Sequence, residues 1–220
     1  MPLWRRAVAE GMAAFALVFA GCGAIVSDAR SQGALGAVGV SLTFGLIILV
    51  MVYATGHLSG AHINPAVTIA FTLGRHFPAR DALAYVAAQL LGATAGALVL
   101  LAAWPDQPAQ LGATTPSVGV GVALLYEVLL TAVLMFVITA VATDTRAVGA
   151  AAAIAIGGAV ALDALFGGPV TGASMNPARS FGPALASGEW GDFWIYVAGP
   201  VAGAAMGVLG YELVRGSERI

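Results

Sequence analysis

The residues of this chain that are equipped to recognise a polar molecule are written twice. "SGAHINPAVT" begins at Ser59 and "TGASMNPARS" begins at Thr171, so Asn64-Pro65-Ala66 returns 112 positions later as Asn176-Pro177-Ala178. The second copy adds Arg179 where the first has Val67. Asparagine is a strong N-cap, and proline is favoured at the first helical position, where its missing N–H costs nothing. Each triplet therefore starts a helix. A side-chain amide also has two N–H donors, so Asn64 and Asn176 stand ready to donate to a passing molecule. This is binding chemistry without bond-making.

Bond-making residues are scarce. Cys22 is the only cysteine, set in an apolar run, and it can form neither an internal disulfide nor a metal cluster. His57 and His62 lie five apart without a nearby third ligand, so no metal site is expected. His62 is a candidate for the wall of a pore, and His76 falls in a turn. No nucleophile is paired with a base, and neither a catalytic residue nor a cofactor is expected.

Composition places these residues in a bilayer. Hydrophobic residues make up 60% of the chain and charged residues 9%, against roughly 25% charged in soluble proteins. The net charge is −2 and there is no lysine, which leaves no basic run to hold nucleic acid. Apolar spans of about 20 residues fall near 6–27, 35–56, 81–103, 118–141, 147–166 and 192–214. Two shorter stretches, 65–74 and 177–186, follow the Asn-Pro-Ala triplets and cannot cross. The apolar run after Arg5 and Arg6 is long enough to span and is read as a retained first helix rather than a signal peptide. Arg5, Arg6, Arg75, Arg80, Arg146, Arg215 and Arg219 all fall at ends that six alternating helices put on one side, so both termini are expected in the cytoplasm.

The duplication is wider than the triplet. "AEGMAAFALVFAG" at Ala9 is echoed by "YEVLLTAVLMFVI" at Tyr126, giving repeat one (about 1–103), a loop (104–117) and repeat two (about 118–220) within a single channel domain, 1–220. Three crossings per repeat is an odd number, so the halves are inverted about an axis in the membrane plane, and the two short helices approach the midplane from opposite faces. Non-helical backbone at that depth is tolerated only if buried in protein or lining a watery cavity. A pore follows, with two positive helix ends at its centre that repel cations. A secondary transporter shares inverted repeats but brings a charged site for its coupled ion; the midplane here has amides.

The remaining ionisable groups have two readings each. Glu10 and Glu127 are equivalent in the two repeats. Intramembrane carboxylates suggest a proton relay, whereas symmetric placement suggests that they hold backbone N–H groups of the re-entrant loops. Asp163 either lines the pore or faces a neighbouring helix. Arg179, a costly charge directly after a half-helix start, is read as pore-lining. Gly92 and Gly96, and Gly199, Gly203 and Gly207, are spaced for close helix packing.

"GHLSGAHINPAVT" and "GASMNPARSFGPA" resemble the two loops that mark the major intrinsic proteins, the aquaporin and aquaglyceroporin family, over nearly the whole chain. "FVITAVATDTRAVG" and "FGGPVTGASMNPARS" resemble most the nodulin-like branch. The resemblance implies an all-α membrane protein: an aquaporin-like bundle of six transmembrane helices plus two re-entrant half-helices, assembled as a homotetramer in the cell membrane with a pore in each subunit. It implies passage of water and small neutral solutes such as glycerol, urea and boric or arsenous acid, without ions or protons, with a strictly water-selective channel as the alternative. It also implies a selectivity filter at Phe44, Ala164, Ala173 and Arg179. Water-selective relatives resemble one another in having histidine where this chain has Ala164, so a wider filter is expected. Ser180, Ala184 and the Phe193-Trp194 pair resemble water channels instead.

Overall fold

The computed structural model describes residues 1–147 and 149–216, and all its regular structure is helical. Helix α1 (Leu3–Leu17) continues through one π-helical turn (Val18–Cys22) into α2 (Gly23–Arg30). Then come α3 (Gly36–Ser59), the short α4 (Pro65–Leu73), α5 (Ala79–Ala103), α6 (Val120–Thr143), α7 (Ala152–Thr171), the short α8 (Pro177–Ser187) and α9 (Ile195–Arg215). Among the described residues six segments are long and apolar enough to cross a bilayer. The chain is a multi-pass membrane protein. Arg219, expected on the arginine-rich side, lies outside the described residues.

The expected spans are displaced by a few residues at most ends. The largest difference is α7, which runs five residues beyond 166 and contains Pro169. The Gly167-Gly168-Pro169 run reads as a break, but it occupies the last turns of the helix, which ends at Gly172 in a left-handed conformation (φ 83°). Tertiary packing decides this: a Cβ on Gly167 would meet Leu130 Cδ1 at 2.6 Å.

Lipid chains are as apolar as leucine, so helices in a bilayer associate through close packing at small residues. A Cβ on Gly92 of α5 would stand 2.0 Å from the Gly11 carbonyl oxygen of α1, and one on Gly203 of α9 would stand 2.2 Å from the Val128 carbonyl oxygen of α6. Gly96 and Gly207 repeat the arrangement against Phe15 and Ala132. The α1–α5 and α6–α9 pairs are thus the same joint built twice.

The polar ends are tied by side chains. At one end Arg6 pairs with Asp81 (3.1 Å), His76 approaches Glu212 (3.4 Å), and Asp144 bonds Arg146 and Tyr211. At the other, Arg30 pairs with Asp106 (2.9 Å) and lies over the Trp104 ring.

Candidate pore

Both half-helices begin as their sequences dictate. Asn64 Oδ1 accepts from Ala66 N at 2.9 Å, and Asn176 Oδ1 from Ala178 N at 3.0 Å, with proline next in each chain. The loops that deliver them are unusual. Ala61 (φ 48°), Ile63 (φ 56°), Ala173 (φ 41°) and Met175 (φ 54°) are left-handed without being glycine, at roughly 1–3 kcal/mol each, and persist only where their surroundings over-determine them.

Glu10 and Glu127 do so. Both are fully buried. Glu10 accepts from Ser59 Oγ (2.6 Å), His62 N (2.9 Å), Ile63 N (2.7 Å) and Gln89 Nε2 (2.8 Å). Glu127 accepts from Thr171 Oγ1 (2.7 Å), Ser174 N (2.9 Å) and Met175 N (2.8 Å). These hydrogen bonds hold the loop backbone in place. Tyr85 and Tyr196 complete the brackets by donating to the Ser59 and Thr171 carbonyls, each at 2.7 Å.

With their N–H groups turned to the glutamates, the loops offer carbonyls to each other. Asn64 Nδ2 donates to Met175 O (2.7 Å) and Asn176 Nδ2 to Ile63 O (2.9 Å). One donor of each amide is therefore spent on joining the repeats. Among the described residues each amide nitrogen makes this one hydrogen bond.

Two cavities meet beside these loops. The inner one, about 70 Å³, is lined by Asn64, Asn176, His62, Val160 and Arg179 among others. The outer vestibule, about 510 Å³, is lined by Asp28, Ser41 and Gln110. Phe44, Ala164 and Ala173 line both and so mark the junction. Glu10, Glu127 and Asp163 line neither cavity. Asp163 is buried in α7, with its Oδ2 without a partner. His62 packs against the rings of Phe71, Phe77 and Tyr85, and His57 is exposed on α3.

Arg179 is 2% exposed. Its guanidinium lies 4.9 Å from the Phe44 ring centroid, Nη1 donates to Gly112 O at 2.7 Å, and Nε has no partner in the protein. Gly112 belongs to a left-handed turn, Pro108–Gly112, in which Ala109, Gln110 and Leu111 have φ near 50°. Little in the sequence announces this turn: alanine, glutamine and leucine avoid that conformation, and only Pro108 and Gly112 punctuate the stretch. Gln89 and Tyr85 lie far in sequence from the residues they bond, and their polarity inside α5 is the one sign of them in the sequence.

Six crossing helices, two opposed half-helices and a polar-edged cavity between them define a membrane channel. The family profile described as "Major intrinsic protein" matches residues 1–211, and the chain belongs to that family, whose members are channels for water and small solutes and not enzymes. It is 46% identical over 215 residues to "Aquaporin NIP1-1" of Zea mays, covering 98% of this chain and 76% of that protein. It is 44% identical over 219 residues to "Nodulin-26" of Glycine max, covering 100% and 81%. Among solved structures, the aquaglyceroporin from Plasmodium falciparum superposes with a TM-score of 0.84 at 25% identity, covering 96% of each chain.

Proposed function

We propose that this chain conducts water together with small neutral solutes, namely glycerol, urea and metalloid hydroxides such as boric or arsenous acid, and that it excludes ions and protons. One observation carries the reading. At the junction of the two cavities the cationic Arg179 faces the apolar Phe44 ring, and Ala164 and Ala173 line the same junction. A solute with hydroxyls on one edge and carbon on the other fits such a passage. Phe44, Ala164, Ala173 and Arg179 act as the selectivity filter, Arg179 as its cationic wall. Asn64-Pro65-Ala66 and Asn176-Pro177-Ala178 form the central constriction, where each amide donates its second N–H. Glu10 and Glu127 support the loops. Two positive helix ends at the centre, together with Arg179, raise a barrier that neutral molecules do not feel.

The reading extends to residence in the cell membrane as a homotetramer with both termini in the cytoplasm. The arginine-rich end and the family membership support it. A second reading, strict water selectivity, is favoured by the small volume of the inner cavity. A panel of swelling rates in proteoliposomes separates the two: permeation by glycerol, urea or boric acid above empty vesicles supports the first, and water alone supports the second.

A further inference from the structure

The first span has a feature that its counterpart in the second repeat lacks. Val18–Cys22 form a π-helical turn, whereas α6 runs unbroken from Val120 to Thr143. Such turns are rare and recur at functional sites. Matched contacts align the two spans. A Cβ on Gly96 would meet Phe15 O, Phe19 N and Val18 Cβ, and a Cβ on Gly207 would meet Ala132 O, Phe136 N and Met135 Cβ. Val18 therefore corresponds to Met135, and counting on at the same spacing sets Gly21 against Ile138. The equivalence of Ser59 and Thr171, each bonded to its repeat's glutamate, likewise sets Phe44 against Ile156.

Ile138 and Ile156 both line the inner cavity. Where the second repeat has two aliphatic side chains, the first has a glycine and a phenyl ring. The ring occupies the vacated space: a Cβ on Gly21 would fall 2.3 Å from Phe44 Cε1 and 2.6 Å from Cδ1. The next residue, Cys22, abuts the turn that holds the arginine. A Cβ on Gly112 (φ +78°) would fall 2.8 Å from Cys22 Cβ, and the Gly112 carbonyl is the acceptor of Arg179 Nη1.

We infer that the π-helical turn is the positioning device of the constriction, with Gly21 setting how far the Phe44 ring stands out of the passage and Cys22 seating the carbonyl that orients Arg179. The inference rests on Phe44 and Arg179 forming the constriction proposed above. Gly21 is a positioning residue: it acts on solutes only through Phe44. A methyl group at position 21 displaces the ring from this seat, and a ring displaced into the passage narrows it for a carbon-bearing solute before it narrows it for water.

The test is a comparison of wild type, Gly21→Ala, Phe44→Leu and Gly21→Ala/Phe44→Leu, purified, checked for assembly and reconstituted, by stopped-flow swelling in matched water and glycerol gradients. Gly21→Ala is expected to lower the glycerol-to-water ratio several-fold, and the double variant to return to the ratio of Phe44→Leu, because leucine vacates the contested space. If wild type passes no glycerol, the water rates carry the same comparison, with Gly21→Ala slowed and the double variant matching Phe44→Leu. A well-assembled Gly21→Ala with wild-type permeation overturns the inference, as do single effects that simply multiply in the double variant. If Gly21→Ala does not assemble, recovery of assembly by Phe44→Leu supports the inference and failure of both overturns it. Phe44→Leu with unchanged permeation places the fault in the constriction reading itself, and the inference falls with it.

Discussion

Asn64 in the first repeat donates its side-chain amide to the carbonyl of Met175 in the second at 2.7 Å, and Asn176 returns the bond to Ile63 at 2.9 Å. The half-helices are thus joined directly at their N-terminal loops, and each asparagine caps its helix and holds the opposite loop; the proposed third task is to present its remaining N–H to the passage.

Replacing either asparagine separates these tasks. Asn64→Ala or Asn176→Ala removes an N-cap worth roughly 0.5–2 kcal/mol and a buried hydrogen bond worth about 1 kcal/mol. Both variants are expected to unfold at lower temperature in detergent and to conduct less. Asn→Asp keeps the capping oxygen but sets a carboxylate oxygen against the opposite loop's carbonyl and buries a charge, so it too is expected to lose stability as well as flux. Full permeability in two normally assembled alanine variants counts against a role in solute binding.

The glutamates are expected to be structural. Glu127→Gln puts an NH2 group among donors that include Ser174 N and Met175 N, leaving buried donors unsatisfied at about 1–3 kcal/mol. Thermal unfolding of purified Glu10→Gln and Glu127→Gln should be depressed. Asp163→Asn, which breaks no hydrogen bond with the protein among the described residues, should be near wild type in both stability and flux.

Ala164 lies at the junction of inner cavity and vestibule. Ala164→His adds bulk and a donor beside Arg179, so glycerol and urea permeation should fall relative to water. An unchanged ratio in a well-assembled variant removes Ala164 from the constriction.

Ion exclusion is testable in planar bilayers. Wild-type protein is expected to carry no proton or potassium current above background. Arg179→Val, which restores at position 179 the residue type of Val67, removes the cation beside the second half-helix and should admit a proton leak, detected by a pH-sensitive dye inside vesicles.

At the arginine-rich end, Arg146 and Tyr211 hydrogen-bond the Asp144 carboxylate and hold it well below the usual carboxylate range. A carboxyl group with a depressed folded pKa adds stability above its unfolded value of about 4 and loses it as pH falls through the folded value. Melting temperatures of wild type and Asp144→Asn should differ at neutral pH and converge in strong acid. A gap that does not depend on pH assigns the difference to packing instead.

Much of this molecule was legible in its sequence, because a bilayer imposes length and apolarity on every crossing helix and leaves polar residues few enough to read one by one. The six spans, the duplication and the inverted half-helices follow from that economy, and so do the two N-caps, which need only an asparagine, a proline and their neighbours. Glu10 and Glu127 were conspicuous for the same reason, although their loop donors lie 44 to 53 residues away in the chain. Tertiary structure decided what depends on contacts between distant segments. The left-handed residues at Ala61, Ile63, Ala109 and Leu111 have no local cause, since alanine, isoleucine and leucine avoid that conformation unless outside contacts hold it. Whether Asp163 faced the pore or a helix, and where the Phe44 ring was seated, were settled by packing. Periodicity weakens as an indicator of the buried face when the lipid-facing side of a helix is as apolar as the protein-facing side, and only the approach of Gly21, a single residue without a side chain, makes room for that ring.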